Sequence, residues 1–100
     1  MEEAPVSLIS LTPSKSGHKK LRAVFRLSNK RTRTIHFGDK RYEDYTTHGD
    51  AKRKRLYIQR HEAREDFNNP MTAGALSRWI LWNKKTIEAS VKDFQRRFKV

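Results

Sequence analysis

The side chains that bind metals or act as nucleophiles do not form a recognisable set in this sequence. Four histidines occur, at 18, 36, 48 and 61, but no two have the short spacing of a helical or hairpin metal site, and no carboxylate accompanies them suitably. The absence of cysteine excludes zinc–thiolate sites, iron–sulfur clusters and cysteine nucleophiles. Neither a G-x-S-x-G nucleophile motif nor a glycine-rich phosphate loop is present. The sequence therefore predicts a protein that is not an enzyme and that uses no metal and no cofactor.

The sequence is instead rich in cationic side chains, which can bind anionic partners. The 100 residues include 23 Lys+Arg against 11 Asp+Glu, a formal charge of +12. Such a surface attracts DNA, RNA, acidic lipid or an acidic protein face. One cluster lies in a predicted helix and the other in a predicted β-hairpin, where it forms a basic ridge. The predicted contacts with a polyanion or an acidic partner are Lys20, Arg22, Arg26, Lys30, Arg31, Arg33, Lys52, Arg53, Lys54 and Arg55.

Patterning alone leaves the role of these clusters open. Each phosphate that a cation neutralises releases counterions, so either cluster is compatible with nucleic-acid binding. The hairpin ridge is equally compatible with docking on an acidic patch of a protein. The helical cluster is also compatible with a solvated helix turn or a nuclear-localisation signal.

Apolar residues outside the predicted core mark a second kind of contact. Trp79 shares a predicted helix face with Leu76 and Ile80 and is assigned to the core. Trp82 lies near that face at the helix end, where it serves either the core or a partner. Val6 and Leu8 belong to a predicted N-terminal strand that could pair with the sheet edge of a neighbour. The predicted partner interface is Val6, Leu8 and Trp82.

Strand patterns occupy the first part of the chain. Residues 6–12 predict a short strand, although Ile9 and Leu11 disturb its alternation. Residues 19–27 place Leu21, Ala23 and Phe25 on one face with period two, and residues 31–37 resume alternation after a turn at 28–30. We therefore predict a β-hairpin.

Helix signals follow the strands. A polar loop is predicted at 39–49, after which Asp50 caps a basic helix to about residue 64. Thr72 and Thr86 cap two more helices. The predicted fold is α+β, a small antiparallel sheet of the N-terminal strand plus the hairpin, followed by three helices packed on one face. Residues 1–18 are predicted to be an N-terminal extension with a short strand, and residues 19–100 a single compact domain.

A tryptophan-rich segment carries a family resemblance. Residues 70–84 (PMTAGALSRWILWNK), together with IHFG at 35–38, YT at 45–46, YIQRH at 57–61 and FQRRF at 94–98, resemble a small uncharacterised protein family. Large double-stranded DNA viruses of algae and protists encode that family. The resemblance covers about residues 20 to 98. It implies a viral origin and supplies no catalytic residue.

The expected function combines this resemblance with the charge. We expect a non-enzymatic structural protein of the virion, a minor capsid or cement-type component, whose basic surface binds viral coat proteins. Its locations would be the virion and, during assembly, the host cytoplasm or nucleus. The alternative is a sequence-nonspecific nucleic-acid-binding protein that contacts phosphates of the viral DNA or of RNA. A regulator that binds a host protein is a third hypothesis.

Membrane insertion and secretion are not expected. The longest apolar run is Trp79-Ile80-Leu81-Trp82, far short of the roughly 20 residues that span a bilayer. The acidic N-terminus lacks the cationic start and apolar segment of a signal peptide.

Overall fold

The sheet and the helices follow one another along the chain, as the sequence predicted. A computed structural model describes residues 4–100. Three antiparallel strands, in the order β1-β2-β3, are followed by helices, so the predicted α+β class is confirmed. The strands are β1 (Pro5–Pro13), β2 (Leu21–Leu27) and β3 (Thr32–Phe37). The helices are α1 (Tyr45–His48), α2 (Ala51–His61), α3 (Ala73–Leu76), which continues as a π-helical segment (Ser77–Leu81), and α4 (Ile87–Phe98).

The central strand β2 separates the two faces of the sheet. Ala23 and Phe25 are fully buried, whereas Arg22 and Arg26 on either side of them are exposed and Val24 between them is half-buried. Successive side chains of a strand point to opposite faces. One face of the sheet is therefore covered by the helices, and the other is open to solvent.

A β-bulge in β1 explains the disturbed alternation of the N-terminal strand. Leu8 pairs with Phe25 and Ser10 pairs with Val24, so Ile9 is an extra residue between two regular pairs. Strand β1 pairs with β2 from Pro5 to Pro13 and forms an edge of the sheet. The N-terminal extension predicted for residues 1–18 thus supplies a strand of this sheet, and its residues 1–3 lie outside the described residues.

The core lies between the covered face of the sheet and the helices. Its largest fully buried side chains are Phe25, Phe37, Leu76, Ile80 and Phe94, drawn from β2, β3, α3, the π-helical segment and α4. Fully burying an apolar side chain of this size contributes about 1.5–3 kcal/mol. These side chains pack the sheet against the helices and thereby fix the position of its open face.

Capping residues set where the helices begin. Asp50 Oδ1 accepts hydrogen bonds from the backbone N–H groups of Lys52 and Arg53, at 2.9 and 3.2 Å. Thr72 and Thr86 cap α3 and α4, as predicted.

Two elements differ from the sequence prediction. The loop predicted at 39–49 contains the short helix α1, because Asp44 and Thr47 form a reciprocal capping box. Helix α2 ends at His61 rather than near residue 64.

Candidate nucleic-acid interface

The open face of the sheet consists of three cross-strand rows. The register aligns Ser7-Arg26-Thr32, Ser10-Val24-Thr34 and Thr12-Arg22-His36 from β1 to β3. Within these rows no side chain is acidic, five carry a hydroxyl group, and two are arginines. The arrangement offers hydrogen-bond donors and positive charge and presents no carboxylate. We refer to these nine residues as the open sheet face.

The hairpin turn adds two cations at one end of the open sheet face. Lys30 and Arg31 are exposed, and the Leu27 N–H donates to the Arg31 carbonyl at 2.8 Å. Arg26 Nη1 donates to the carbonyl of Lys30 at 3.4 Å, which ties this arginine to the turn. The predicted basic ridge is present in Arg22, Arg26, Lys30 and Arg31.

Three of the predicted contact residues lie elsewhere. The Lys20 ammonium forms an ion pair with the buried carboxylate of Asp44, so its charge is neutralised within the protein. Arg33 is paired with Phe25 and therefore lies on the helix side of the sheet. Lys54 donates to the Asn83 carbonyl at 2.6 Å. These side chains do not contribute to the open sheet face.

The hydrogen bond from Lys54 to the Asn83 carbonyl stabilises the chain just after the π-helical segment. The Lys54 ammonium lies 4.8 Å from the centroid of the Tyr45 ring. Burial, together with the positive charges of Arg78 and Lys84, holds the pKa of Lys54 below its usual value. Arg78 Nη1 donates to the Trp82 carbonyl at 2.8 Å. Cations thus occupy the carbonyl groups at this helix end, where the helix dipole favours them.

Helix α2 presents the second cationic surface. None of its residues is buried, and Lys52, Arg53, Arg55 and Arg60 are exposed. The Tyr57 ring stacks on the Trp82 ring, with centroids 4.2 Å apart and planes 4° from parallel. This contact attaches α2 to the helical side of the molecule. The cations of α2 and the open sheet face therefore belong to different sides of the fold.

The residues predicted for a partner interface have three different environments. Val6 is 52% exposed on the edge strand β1. Leu8 packs partly buried against the core. Trp82 is half-buried, with Tyr57 on one side and the His48 ring centroid 5.4 Å away. Val6 alone of the three is an exposed apolar side chain on a sheet edge.

A cleft of about 530 Å³ separates α2 from the loop after β3. Its lining combines both signs of charge, including Arg53, Arg60 and Glu65, with the Tyr57 ring. Burial, followed by the negative charge of Glu65, raises the pKa of Tyr57 to about 12. Mixed charge does not favour a polyanion, and for this reason the cleft is not the candidate interface. Sequence reasoning missed the cleft because its lining comes from several separate segments.

Three arginines on other surfaces are paired with acids. Asp93 accepts from Asn83 at 2.7 Å and lies 3.5 and 3.4 Å from the guanidinium groups of Arg96 and Arg97. Arg41 donates to both oxygens of the Asp39 carboxylate, and these hydrogen bonds hold the pKa of Asp39 well below its usual range. In the described part of the chain, Arg41, Arg96 and Arg97 thus each have a carboxylate nearby, unlike Arg22 and Arg26 of the open sheet face.

Metal and membrane sites can be assessed for residues 4–100. No group of three or more His, Asp or Glu side chains there is arranged to hold a metal ion. None of the helices in this range has the length and apolar content required to cross a membrane.

Sequence reasoning identified the arginines of the open sheet face but missed their neighbours. The missed residues are the hydroxyl-bearing side chains, Val24 and His36, which fill the rows between the arginines. The available signal was the alternation of Thr32 and Thr34 with Arg33 and Ile35 in β3. In β1 the bulge at Ile9 concealed the equivalent signal.

Comparison with known proteins gives one match. A family model described as a family of unknown function (DUF5754) matches residues 9–61, which is just over half of the chain. The matched range contains most of β1, all of β2 and β3, and α2. No curated protein and no solved structure matches the chain.

Proposed function

The chain belongs to this family of unknown function (DUF5754), and we propose that it is a non-enzymatic protein that binds nucleic acid through phosphate contacts. The observation that carries the proposal is the open sheet face, where Arg22 and Arg26 lie among hydroxyl groups and none of the nine residues carries a carboxylate. Arginine and hydroxyl side chains are common donors to phosphate oxygens. The net charge of +12 adds long-range attraction to a polyanion.

The proposal predicts how affinity depends on salt. A cation that neutralises a phosphate releases condensed counterions, which lowers the slope of log K against log [salt] by about 0.9 for each contact with duplex DNA. Arg22 and Arg26 are both exposed, and neither has an ion-pair partner among the described residues. Each is therefore free to make one such contact.

Titration of a fluorescent 20-base-pair duplex at several salt concentrations tests this function. Arg22→Gln and Arg26→Gln should each make the slope less negative by about 0.9. Arg41→Gln is the matched control, since it removes the same charge from a guanidinium that Asp39 already neutralises. Its slope should equal that of the wild type. Absence of binding at low ionic strength would overturn the proposal, and so would equal effects of all three substitutions.

The edge of β1 favours a second candidate function, a structural protein of a virus particle that docks on a coat subunit. Val6 and Ile9 are 52% and 46% exposed on this edge strand. Exposed apolar edge strands commonly pair with a strand of another protein. Quantitative mass spectrometry of nuclease-treated, salt-washed virions would test this role. A fixed ratio to the coat protein in empty shells supports it, and absence from particles contradicts it together with the proposed virion location.

A further inference from the structure

We propose that the open sheet face enters the major groove of double-stranded B-form DNA, with β2 along the middle of the groove. This inference rests on the proposed function and deepens it. It assigns one partner, duplex DNA, and one contact surface, the nine residues of the three cross-strand rows. The argument combines the width of the sheet, its chemistry and the position of its charges.

The dimensions of the sheet match the groove. Neighbouring strands lie about 4.8 Å apart, so the backbones of β1 and β3 are separated by about 10 Å. The major groove of B-DNA is about 12 Å wide, slightly more than this separation, and accepts a two-stranded β-ribbon as well as a helix. The seven residues of β2 extend for about 20 Å at roughly 3.3 Å per residue. A platform of this size can follow the groove for about half a helical turn.

The side chains of the face match what the groove displays. Arginine donates two hydrogen bonds to O6 and N7 of guanine, and serine and threonine bond to several base edges. Arg22 and Arg26 lie in the outer rows of the face, separated by the row that contains Val24 and Thr34. Methyl groups such as those of Val24 and Thr34 pack against the methyl group of thymine. The face therefore combines arginine donors with hydroxyl and methyl groups in its middle row. A guanidinium has five N–H donors, so Arg22 and Arg26 can each contact a guanine edge and also make the phosphate contact of the proposed function.

The charges at the end of the hairpin match the rim of the groove. Lys30 and Arg31 are exposed in the turn that joins β2 to β3. A sheet that lies in the groove brings such a turn to the phosphates along its edge. Phosphate contacts of this kind position a protein on the duplex, while contacts from the face discriminate between bases.

The geometry distinguishes DNA from RNA. The major groove of an A-form RNA helix is deep and narrow, and side chains cannot enter it. A sheet about 10 Å wide is excluded from that groove. If α2 alone bound phosphates instead, B-form and A-form duplexes would both be ligands, because an exposed row of cations has no such steric limit.

The first experiment compares three ligands of equal length and sequence at about 100 mM salt: duplex DNA, duplex RNA and single-stranded DNA. The proposal predicts that duplex DNA binds at least tenfold more tightly than duplex RNA. Methylation of guanine N7, which blocks the major-groove edge, should weaken binding severalfold. Equal affinity for DNA and RNA duplexes with no effect of N7 methylation would overturn the inference while leaving the proposed function intact. No binding to any of the three would overturn both.

The second experiment uses two substitutions with the same change in charge. Thr34→Glu introduces a carboxylate in the middle row of the face, and Gln59→Glu introduces one on the exposed surface of α2. Both variants should fold, since both positions are exposed, and urea denaturation checks this. We expect a loss of duplex affinity of roughly tenfold or more for Thr34→Glu and less than threefold for Gln59→Glu. Equal losses, or a larger loss for Gln59→Glu, would place the contact outside the sheet.

Discussion

The replacement of Gly38 by alanine tests how the sheet is fastened to the helices. Gly38 follows β3 with φ of +78°, and a Cβ atom there would lie 2.7 Å from Leu81 Cδ1 and 3.1 Å from Lys20 Cβ. Leu81 is only 2% exposed, so it has little room to move. The left-handed backbone costs an L-residue about 1–2 kcal/mol, and overpacking a core side chain costs about 1–3 kcal/mol. The free energy of unfolding should therefore fall by about 2–5 kcal/mol in Gly38→Ala.

Gly17→Ala is the matched control for this substitution. Gly17 also has a positive φ, +53°, but no atom lies within 4 Å of the position that its Cβ would take. Both replacements reduce the entropy of the unfolded chain equally, so that contribution cancels in the comparison. Urea denaturation should show Gly38→Ala about 1–3 kcal/mol less stable than Gly17→Ala, with unchanged m-values. Equal destabilisation would refute the view that Gly38 is required for close packing on Leu81.

Three further predictions concern side chains of the helical layer. Burial alone would raise the pKa of Asp93, but a hydrogen bond from Asn83 and the nearby arginines hold it below its usual value. The stabilisation by the Asp93 carboxylate is thus present above the unfolded pKa and is lost as the pH falls through the folded pKa. The free energy of unfolding of Asp93→Asn should therefore fall less than that of the wild type as the pH drops below the usual range of aspartate, in urea denaturation followed by circular dichroism. The phenol of Tyr57, whose pKa is raised to about 12, should ionise near pH 12 when absorbance at 295 nm is followed, and this ionisation should be missing in Tyr57→Phe but present in Tyr42→Phe. Because the unfolded phenol ionises near pH 10, the free energy of unfolding should fall as the pH rises from about 10 to about 12. Trp82→Leu removes the stack on Tyr57, worth about 0.5–1.5 kcal/mol, so hydrogen exchange should be roughly 2- to 10-fold faster for α2 amides and unchanged for β2 amides.

The fold class could be predicted because the periods of the strands and of the last helix are nearly undisturbed. The buried Ala23 and Phe25 alternate with the less buried Arg22, Val24 and Arg26, as period two requires. The caps at Asp50 and Thr86 mark helix starts by their own chemistry. The π-helical segment could not be predicted, since its defining hydrogen bond, from the Trp82 N–H to the Ser77 carbonyl at 3.0 Å, has no sequence signature.

The candidate site was only partly predictable because neutralisation of charge is a tertiary property. Strand alternation alone places Arg22 and Arg26 on the open face. It cannot reveal that Lys20 meets Asp44, a buried residue 24 positions away that also caps α1. With 23 cations and 11 acids, the sequence establishes that many cations lack an acid, but the fold decides which ones. Within residues 4–100, the fold places acids beside Lys20 and in the C-terminal helix, and none of the nine residues of the open sheet face is acidic. For this reason the open sheet face, rather than total charge, is the feature on which the proposed binding depends.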